Sequence, residues 1–256
     1  MKQYMALGAV LAALGAGGAA LEQAAAGASA ARQNDGGLSV LPAIIEHAAQ
    51  PGPLATLTVA NRSADPLAVT ITPRAWKQSS SGKVAADRRS TLPGVSVATP
   101  EFTLAPGASQ DVPVTLDAVP SAGALYGALE VVGLPADVDK RKGVVLGYRL
   151  ISTLRLLPAV PKLRLVAGKL KVSKRKAVLR VRNAGNTIDE VTGKISVKTS
   201  RGTRNTSLKQ AIKILPGKRV DVPLASRLAR GRATAKVTLY QRGKAQLKLT
   251  KRFRVK

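Results

Sequence analysis

Two stretches near the C-terminus decide the fold: Ala177-Val178-Leu179-Arg180-Val181-Arg182, and Ala233-Thr234-Ala235-Lys236-Val237-Thr238-Leu239-Tyr240. In the first, Ala177, Leu179 and Val181 fall on one side of an extended chain while Arg180 and Arg182 fall on the other. In the second, Ala235, Val237 and Leu239 oppose Lys236 and Thr238. A period of two is the signature of a strand with one dry face and one wet face. Working outward, the same short alternation recurs over Leu163–Val166, Lys194–Thr199, Leu208–Ile214, Arg219–Val222 and Leu247–Val255. Toward the N-terminus it recurs over Ala55–Ala60, Leu67–Thr72, Val95–Thr99, Gln110–Leu116, Ala124–Val132 and Val144–Leu156. The last strand loses phase between Leu249 and Phe253, which reads as a bulge. Gly, Pro, Asn and Ser clusters such as NRSADP, SSSGK, LAPGAS and VPSAG separate these runs, and no amphipathic pattern of helical length appears. The expectation is an all-β chain of two immunoglobulin-like antiparallel β-sandwiches.

Charge divides the chain at the same place as the strands do. Of 256 residues, 41 are Lys or Arg and 14 Asp or Glu, a net charge of +27. Residues 31–160 hold 12 basic and 10 acidic side chains, whereas residues 161–256 hold 28 basic and 3 acidic, a net of +25. The step falls on LLPAVPK, where Pro158 and Pro161 favour an extended connection. Residues 38–157 and 162–256 are therefore read as the two sandwiches, with 158–161 as the linker. Before them, Lys2 and the uncharged run Met5–Leu21 precede the small-residue stretch AAAGASAA, in the manner of a secretory signal peptide over 1–30 cleaved after Ala30. Residues 31–37 would be a flexible mature N-terminus, and the protein would be secreted and associated with a cell envelope.

Composition removes most chemistries. No Cys is present, which excludes disulfides, thiolate zinc sites and thiol nucleophiles. The single His, His47, leaves any Ser/His/acid triad dependent on a residue ahead of the first strand in this reading, and it has no metal-ligand spacing to carboxylates. The close acidic pairs Asp137 with Asp139 and Asp189 with Glu190 read as solvated turn residues or as partners of nearby basic side chains. No Gly-rich phosphate loop is present. The chain is expected to be no enzyme and to use no cofactor and no metal. Trp76, the only Trp, reads as a half-buried packing residue, and the sequon residues Asn61 and Asn205 as turn residues.

The stretch TLTVANRSADPLAVTITPRAW (56–76), the order of Pro, Gly and Tyr in VATPEFTLAPGASQDVPVTLDAVPSAGALYGALEVVG (97–133), and the later VRNAGNTIDEVTGKISVKTSRG (181–202), ILPGKRVDVPL (214–224) and KLTKRFRVK (248–256) carry a resemblance. They resemble extracytoplasmic immunoglobulin-like modules of the PapD-like superfamily, and most nearly the WxL-interacting cell-surface proteins. The resemblance implies attachment and adhesion at an envelope. One departure separates the chain from the usher-pathway chaperones. Between Val114 and Val131, where their cluster of acidic and basic residues is expected, stands TLDAVPSAGALYGALE. An assembly chaperone that binds subunits by β-strand addition is accordingly the second reading.

The first reading is a non-catalytic adhesion or scaffold protein whose basic domain contacts an anionic cell-wall polymer, a glycan or a membrane surface, with another envelope protein as a further partner. The residues expected to bind the polyanion are Lys174, Arg175, Lys176, Arg201, Arg204, Lys218, Arg219, Arg227, Arg230, Arg232, Lys251, Arg252 and Arg254. With aromatics at 3% and no recognition helix, specific nucleic-acid reading is not expected.

Overall fold

The computed structural model describes residues 36–208 and 210–256. The expected signal peptide lies outside them.

The chain forms β1 (Leu38–Leu41), β2 (Ile44–Ala48), β3 (Gly52–Asn61), β4 (Leu67–Gln78), β5 (Val84–Thr91), β6 (Val95–Val97), β7 (Glu101–Leu104), β8 (Ser109–Leu116), β9 (Leu125–Pro135) and β10 (Tyr148–Leu157). It continues through β11 (Leu165–Ser173), β12 (Lys176–Asn183), β13 (Glu190–Thr199), β14 (Gly202–Ser207), β15 (Ile212–Lys213), β16 (Arg219–Ala225), β17 (Gly231–Gln241) and β18 (Lys244–Val255). Apart from one 3-10 turn at Val138–Lys140, all the regular structure among the described residues is strand. The first ten strands form sheets of order β1-β3-β8-β6 and β2-β10-β9-β4-β5, with β7 also on β4. The last eight form sheets β11-β12-β16 and β14-β13-β17-β18, with β15 also on β13. Each pair of sheets closes on its own core. Leu57, Leu116, Leu129 and Leu154 are among those that fill the first, and Leu179, Ile195, Val237 and Leu239 among those that fill the second. The two all-β sandwiches expected from the alternation are present.

Several elements differ from expectation. β1, β2, β5 and β14 carry no clean alternation, β7 alternates over only four residues, and none of them is expected from the sequence; the expected strand Leu208–Ile214 shortens to Ile212–Lys213. β18 keeps its phase through Leu249, Lys251, Phe253 and Val255. Lys251 pairs with the inward-facing Ala235 yet stays exposed because β18 is an edge. The bulge lies earlier, where the register slips between Leu239 and Tyr240 opposite Leu247 and Ala245.

The two sandwiches share one bracket. Asn61 ends β3 fully buried, and its amide donates to the carbonyls of Asp65, Leu104 and Ala105 while its side-chain oxygen accepts from the Ser63 N–H and hydroxyl. Asn183 ends β12 at 1% exposure and donates to the carbonyls of Thr187 and Ile214, accepting from the Gly185 N–H. Each Asn carbonyl then accepts from the glycine of a Pro-Gly turn, Gly107 in one case and Gly217 in the other. A buried asparagine thus ties a strand end to its own turn and to a distant Pro-Gly turn, satisfying carbonyls that no ladder reaches. The turn reading of Asn61 misses this inward role. Asn205 is also no turn residue, since it lies on β14 opposite Ser196.

Candidate functional site: an open strand edge, a junction cleft and a cationic surface

The first feature is the edge of β10. β1 pairs with β3, and after Leu41-Pro42 the chain crosses to the other sheet, where β2 runs parallel to β10 from Ile44 opposite Thr153 to Ala48 opposite Leu157. The cover stops there. The Thr153 N–H donates to the Ala43 carbonyl, and the Ser152 hydroxyl to that of Pro42. Since backbone groups alternate in direction along an antiparallel strand, those of Arg149 and Ile151 point the same way as those of Thr153. Among the described residues no strand stands opposite them. Side chains continue the pattern. Leu154 and Leu156 are buried and Leu150 and Tyr148 pack half-buried against the core, while Leu146 and Val144, expected to belong to the strand, precede its start at Tyr148 and stand in solvent at 75% and 94% exposure. Apolar side chains therefore continue past the start of a half-open edge.

Beside this edge, Glu130 on β9 is 4% exposed and lies against the Arg74, Arg149 and Arg88 side chains. Burial alone would push its carboxyl up, but the hydrogen bonds from Arg74 and Arg149 prevail and hold it below its usual range.

The second feature is the junction. Gln78, at the end of β4, donates its amide to the Lys213 carbonyl at 2.7 Å and accepts from the Leu215 N–H at 3.0 Å, while the Ser80 carbonyl accepts from the Asp221 N–H. On the other side the Tyr126 hydroxyl donates to the Asn186 carbonyl, and the buried Asn186 amide donates to the carbonyls of Ala122 and Val160. The linker runs past Gly185, where a Cβ would stand 1.9 Å from the Lys162 carbonyl oxygen. Beside these bonds lies an open cleft of about 280 Å³ lined by Tyr126, Arg155, Asp189 and Lys213, among others. Its cations are engaged in ion pairs, Arg155 with Glu46, Lys213 with Glu190 and Arg242 with Asp189. Of the acidic residues singled out in the sequence, Asp189 and Glu190 are thus ion-paired, and Asp137 meets Arg141 at 2.7 Å. Burial pushes the Tyr126 hydroxyl up from its ordinary pKa. His47 sits exposed on β2 opposite Leu156, and Trp76 is half-buried on β4 opposite Ala86.

The third feature is the surface of the second sandwich. The β11–β12 hairpin tip places Lys174, Arg175 and Lys176 beside the β16–β17 loop, where the Arg175 guanidinium donates to the Leu228 carbonyl. Arg204 reaches the Ser226 carbonyl from β14. Arg201, Arg227 and Arg230 lie in the adjoining turns, and Arg232 pairs with Arg254 at the same end. Arg252 and Lys251 follow along β18. Lys218 and Arg219 are not in this group. They lie at the junction end, where Arg219 pairs with Arg182. Lys194, Lys198, Lys236 and Lys248, not among the residues expected to bind, occupy exposed outward positions on β13, β17 and β18. The alternation already placed them outside, but only the strand register shows that they share one face.

No protein-family model matches the chain, and no curated protein matches it. Solved structures do. A chain of a chaperone–tip adhesin complex of CFA/I fimbriae biogenesis superposes with a TM-score of 0.51 over 85% of this chain and 98% of its own, at 15% identity. The class 5 fimbriae chaperone CfaA gives 0.49 over 84% and 98% at 15% identity, and the E. coli chaperone DraB 0.44 over 84% and 96% at 18%. A nearest likeness to the WxL-interacting proteins is not shown by these structures. What the chain shares with the first of them is the fold: two immunoglobulin-like β-sandwiches in the PapD-type arrangement.

Proposed function

We propose that the protein is an extracytoplasmic assembly chaperone, non-catalytic, that holds a partner subunit by adding a strand. The observation that carries this reading is the half-open edge of β10, where the exposed Val144 and Leu146 lead into the half-buried Tyr148 and Leu150. A strand edge with free backbone groups is a template for pairing, and alternating apolar side chains beyond it supply what an incomplete sandwich lacks. The likeness in fold to a chain from a chaperone–tip adhesin complex adds support, and so does the N-terminal run that reads as a secretion signal. In this reading the stretch between Val114 and Val131 contributes its last residue, Glu130, and the basic partners come from other strands. A charged cluster is supplied by Glu130 with Arg74 and Arg149, drawn from β9, β4 and β10.

The test is a pull-down from envelope extract of the native host with the wild type and a Val144→Glu/Leu146→Glu variant. The reading expects subunits retained in fixed stoichiometry by the wild type and lost by the variant. Equal retention by both would refute it.

A second reading, an adhesion or scaffold protein that contacts an anionic wall polymer or glycan, is favoured by one observation, the gathering of Lys174, Arg175, Lys176, Arg227 and Arg230 at one end of the second sandwich. Binding to isolated wall material that disappears at high salt and in the Lys174→Gln/Arg175→Gln/Lys176→Gln variant is the result it requires.

A further inference from the structure

The strand register of the second sandwich orders its charge in two dimensions. On the outer face of β13, β17 and β18, Lys194 stands opposite Thr238 and Thr238 opposite Lys248. Ser196 stands opposite Lys236 and Lys236 opposite Thr250, and Lys198 opposite Thr234 and Thr234 opposite Arg252. Arg232 and Arg254 close the array at its far end. β14 extends the rows with Ser207, Asn205 and Thr203 beside Lys194, Ser196 and Lys198. Over β13, β17 and β18 the result is close to a checkerboard in which cations alternate with hydroxyls along the strands and across them, broken at the far end where Arg252 and Arg254 follow each other on β18. Only Arg232 and Arg254 face each other directly, the placement that like charges normally avoid.

Nothing neutralises this face from within. β14, β17 and β18 contain no Asp or Glu, and β13 contains only Glu190 at its junction end. The three carboxylates of residues 161–256 are committed elsewhere, Asp189 to Arg242, Glu190 to Lys213 and Asp221 to Arg180. Seven exposed cations, Lys194, Lys198, Arg232, Lys236, Lys248, Arg252 and Arg254, are left without an acidic partner in their own sandwich. Their aliphatic neighbours on the other face are spent in the core, so the array is held by a packed sheet and not by a mobile tail.

We propose that this face docks on an anionic phospholipid surface. Charge complementarity selects an anion, and the dimensions of the array select its form. A threadlike polyanion can follow one row of cations, whereas here they lie over three adjacent strands, most of them spaced about 13 Å along a strand and about 10 Å across two strands, with Lys236 of the middle strand set between the rows. A lipid surface presents phosphates over an area, and the interleaved Thr and Ser hydroxyls can donate to phosphate oxygens between the cations. The array lies on a different sandwich from the β10 edge, so membrane docking leaves that edge free, and the two readings stand or fall separately.

The experiment is co-sedimentation of the full chain with vesicles of phosphatidylcholine alone and of phosphatidylcholine mixed with phosphatidylglycerol, across a salt series. The neutral vesicles report whatever the N-terminal apolar run contributes. Each cation near an anionic surface strengthens binding by about fivefold, so Lys194→Gln/Lys236→Gln/Lys248→Gln is expected to weaken binding to the anionic vesicles by about a hundredfold. Binding to neutral vesicles should stay unchanged, and a control Arg62→Gln/Lys83→Gln/Lys142→Gln in the first sandwich should bind as the wild type does. Because all three face residues are exposed, an unchanged circular dichroism spectrum is expected to show that the variant is folded. The proposal is overturned if the face variant binds anionic vesicles like the wild type, if binding is indifferent to salt or to phosphatidylglycerol, or if the substitution abolishes binding of soluble polyphosphate while leaving vesicle binding intact.

Discussion

Replacing Asn183 with Ala tests how much of the second sandwich depends on its bracket. The amide donates to the Thr187 carbonyl at 2.6 Å and to the Ile214 carbonyl at 2.7 Å, and both carbonyls belong to buried residues. The third partner, the Gly185 N–H, belongs to a half-buried residue that water can reach. A buried group left without its partner costs about 1–3 kcal/mol, so two stranded carbonyls correspond to a loss of about 3 kcal/mol. For a domain of this size the loss lowers Tm by roughly 12–20 °C. Asn183→Asp should be at least as damaging at neutral pH, since it turns a carboxylate toward two carbonyl oxygens, and should recover in part on acidification. The assay separates the sandwiches, because Trp76, the only tryptophan, lies in the first. Asn183→Ala should lower the transition followed by far-UV circular dichroism more than the one followed by tryptophan fluorescence, and Asn61→Ala should do the reverse. If Asn183→Ala cost less than about 1 kcal/mol, or no more than the exposed Asn205→Ala, the bracket would not carry the stability assigned to it.

Three further outcomes are expected. Glu130→Gln, which leaves Arg74 and Arg149 without their buried carboxylate, should cost about 1–3 kcal/mol by urea unfolding, less than for a fully enclosed pair because the arginines are partly exposed. The hydrogen bond from Arg180 holds the Asp221 carboxyl below its ordinary pKa of 3.8; a carboxyl lowered in the folded state adds stability above that value and loses it as pH falls through the folded value. Asp221→Asn should accordingly flatten the acid limb of the stability curve, with an effect at pH 7 of less than about 1 kcal/mol since both groups are part-exposed. Finally, Lys174 and Arg175 hold φ of 47° and 59° at a hairpin tip where Asn-Gly fits better. Lys174→Asn/Arg175→Gly should raise stability by about 1–2 kcal/mol after losing the Arg175 bond to Leu228, measured as Tm.

The central strands were legible because a half-buried strand writes its burial into alternate residues, as β12 and β17 do. The strands that went unread are edges or short pieces. β14 reads Gly-Thr-Arg-Asn-Thr-Ser and buries none of its residues, so no period can appear. β1 and β2 are strands only because other strands supply their partners. The basic character of the second sandwich was legible as composition, yet its ordering was not, since cross-strand neighbours such as Lys236 and Thr250 depend on register and not on local spacing. The β10 edge was hidden for a related reason. Val144–Leu156 reads as one strand, and the difference between its open and covered parts is set by residues a hundred positions earlier.

That dependence makes the crossing of the first strand pair a ruler. The chain leaves the β3 side at Leu41 and reaches the β10 side at Ile44, and the position of this step fixes how much of β10 is already spoken for. Five residues, Tyr148–Ser152, remain beyond it. If the step came two residues earlier in the chain, β2 would have two more residues with which to cover Ser152 and Ile151, and an incoming strand would find three positions instead of five. Insertion or deletion around Pro42 thus changes the length of strand that can be accommodated without touching a single residue of the edge itself.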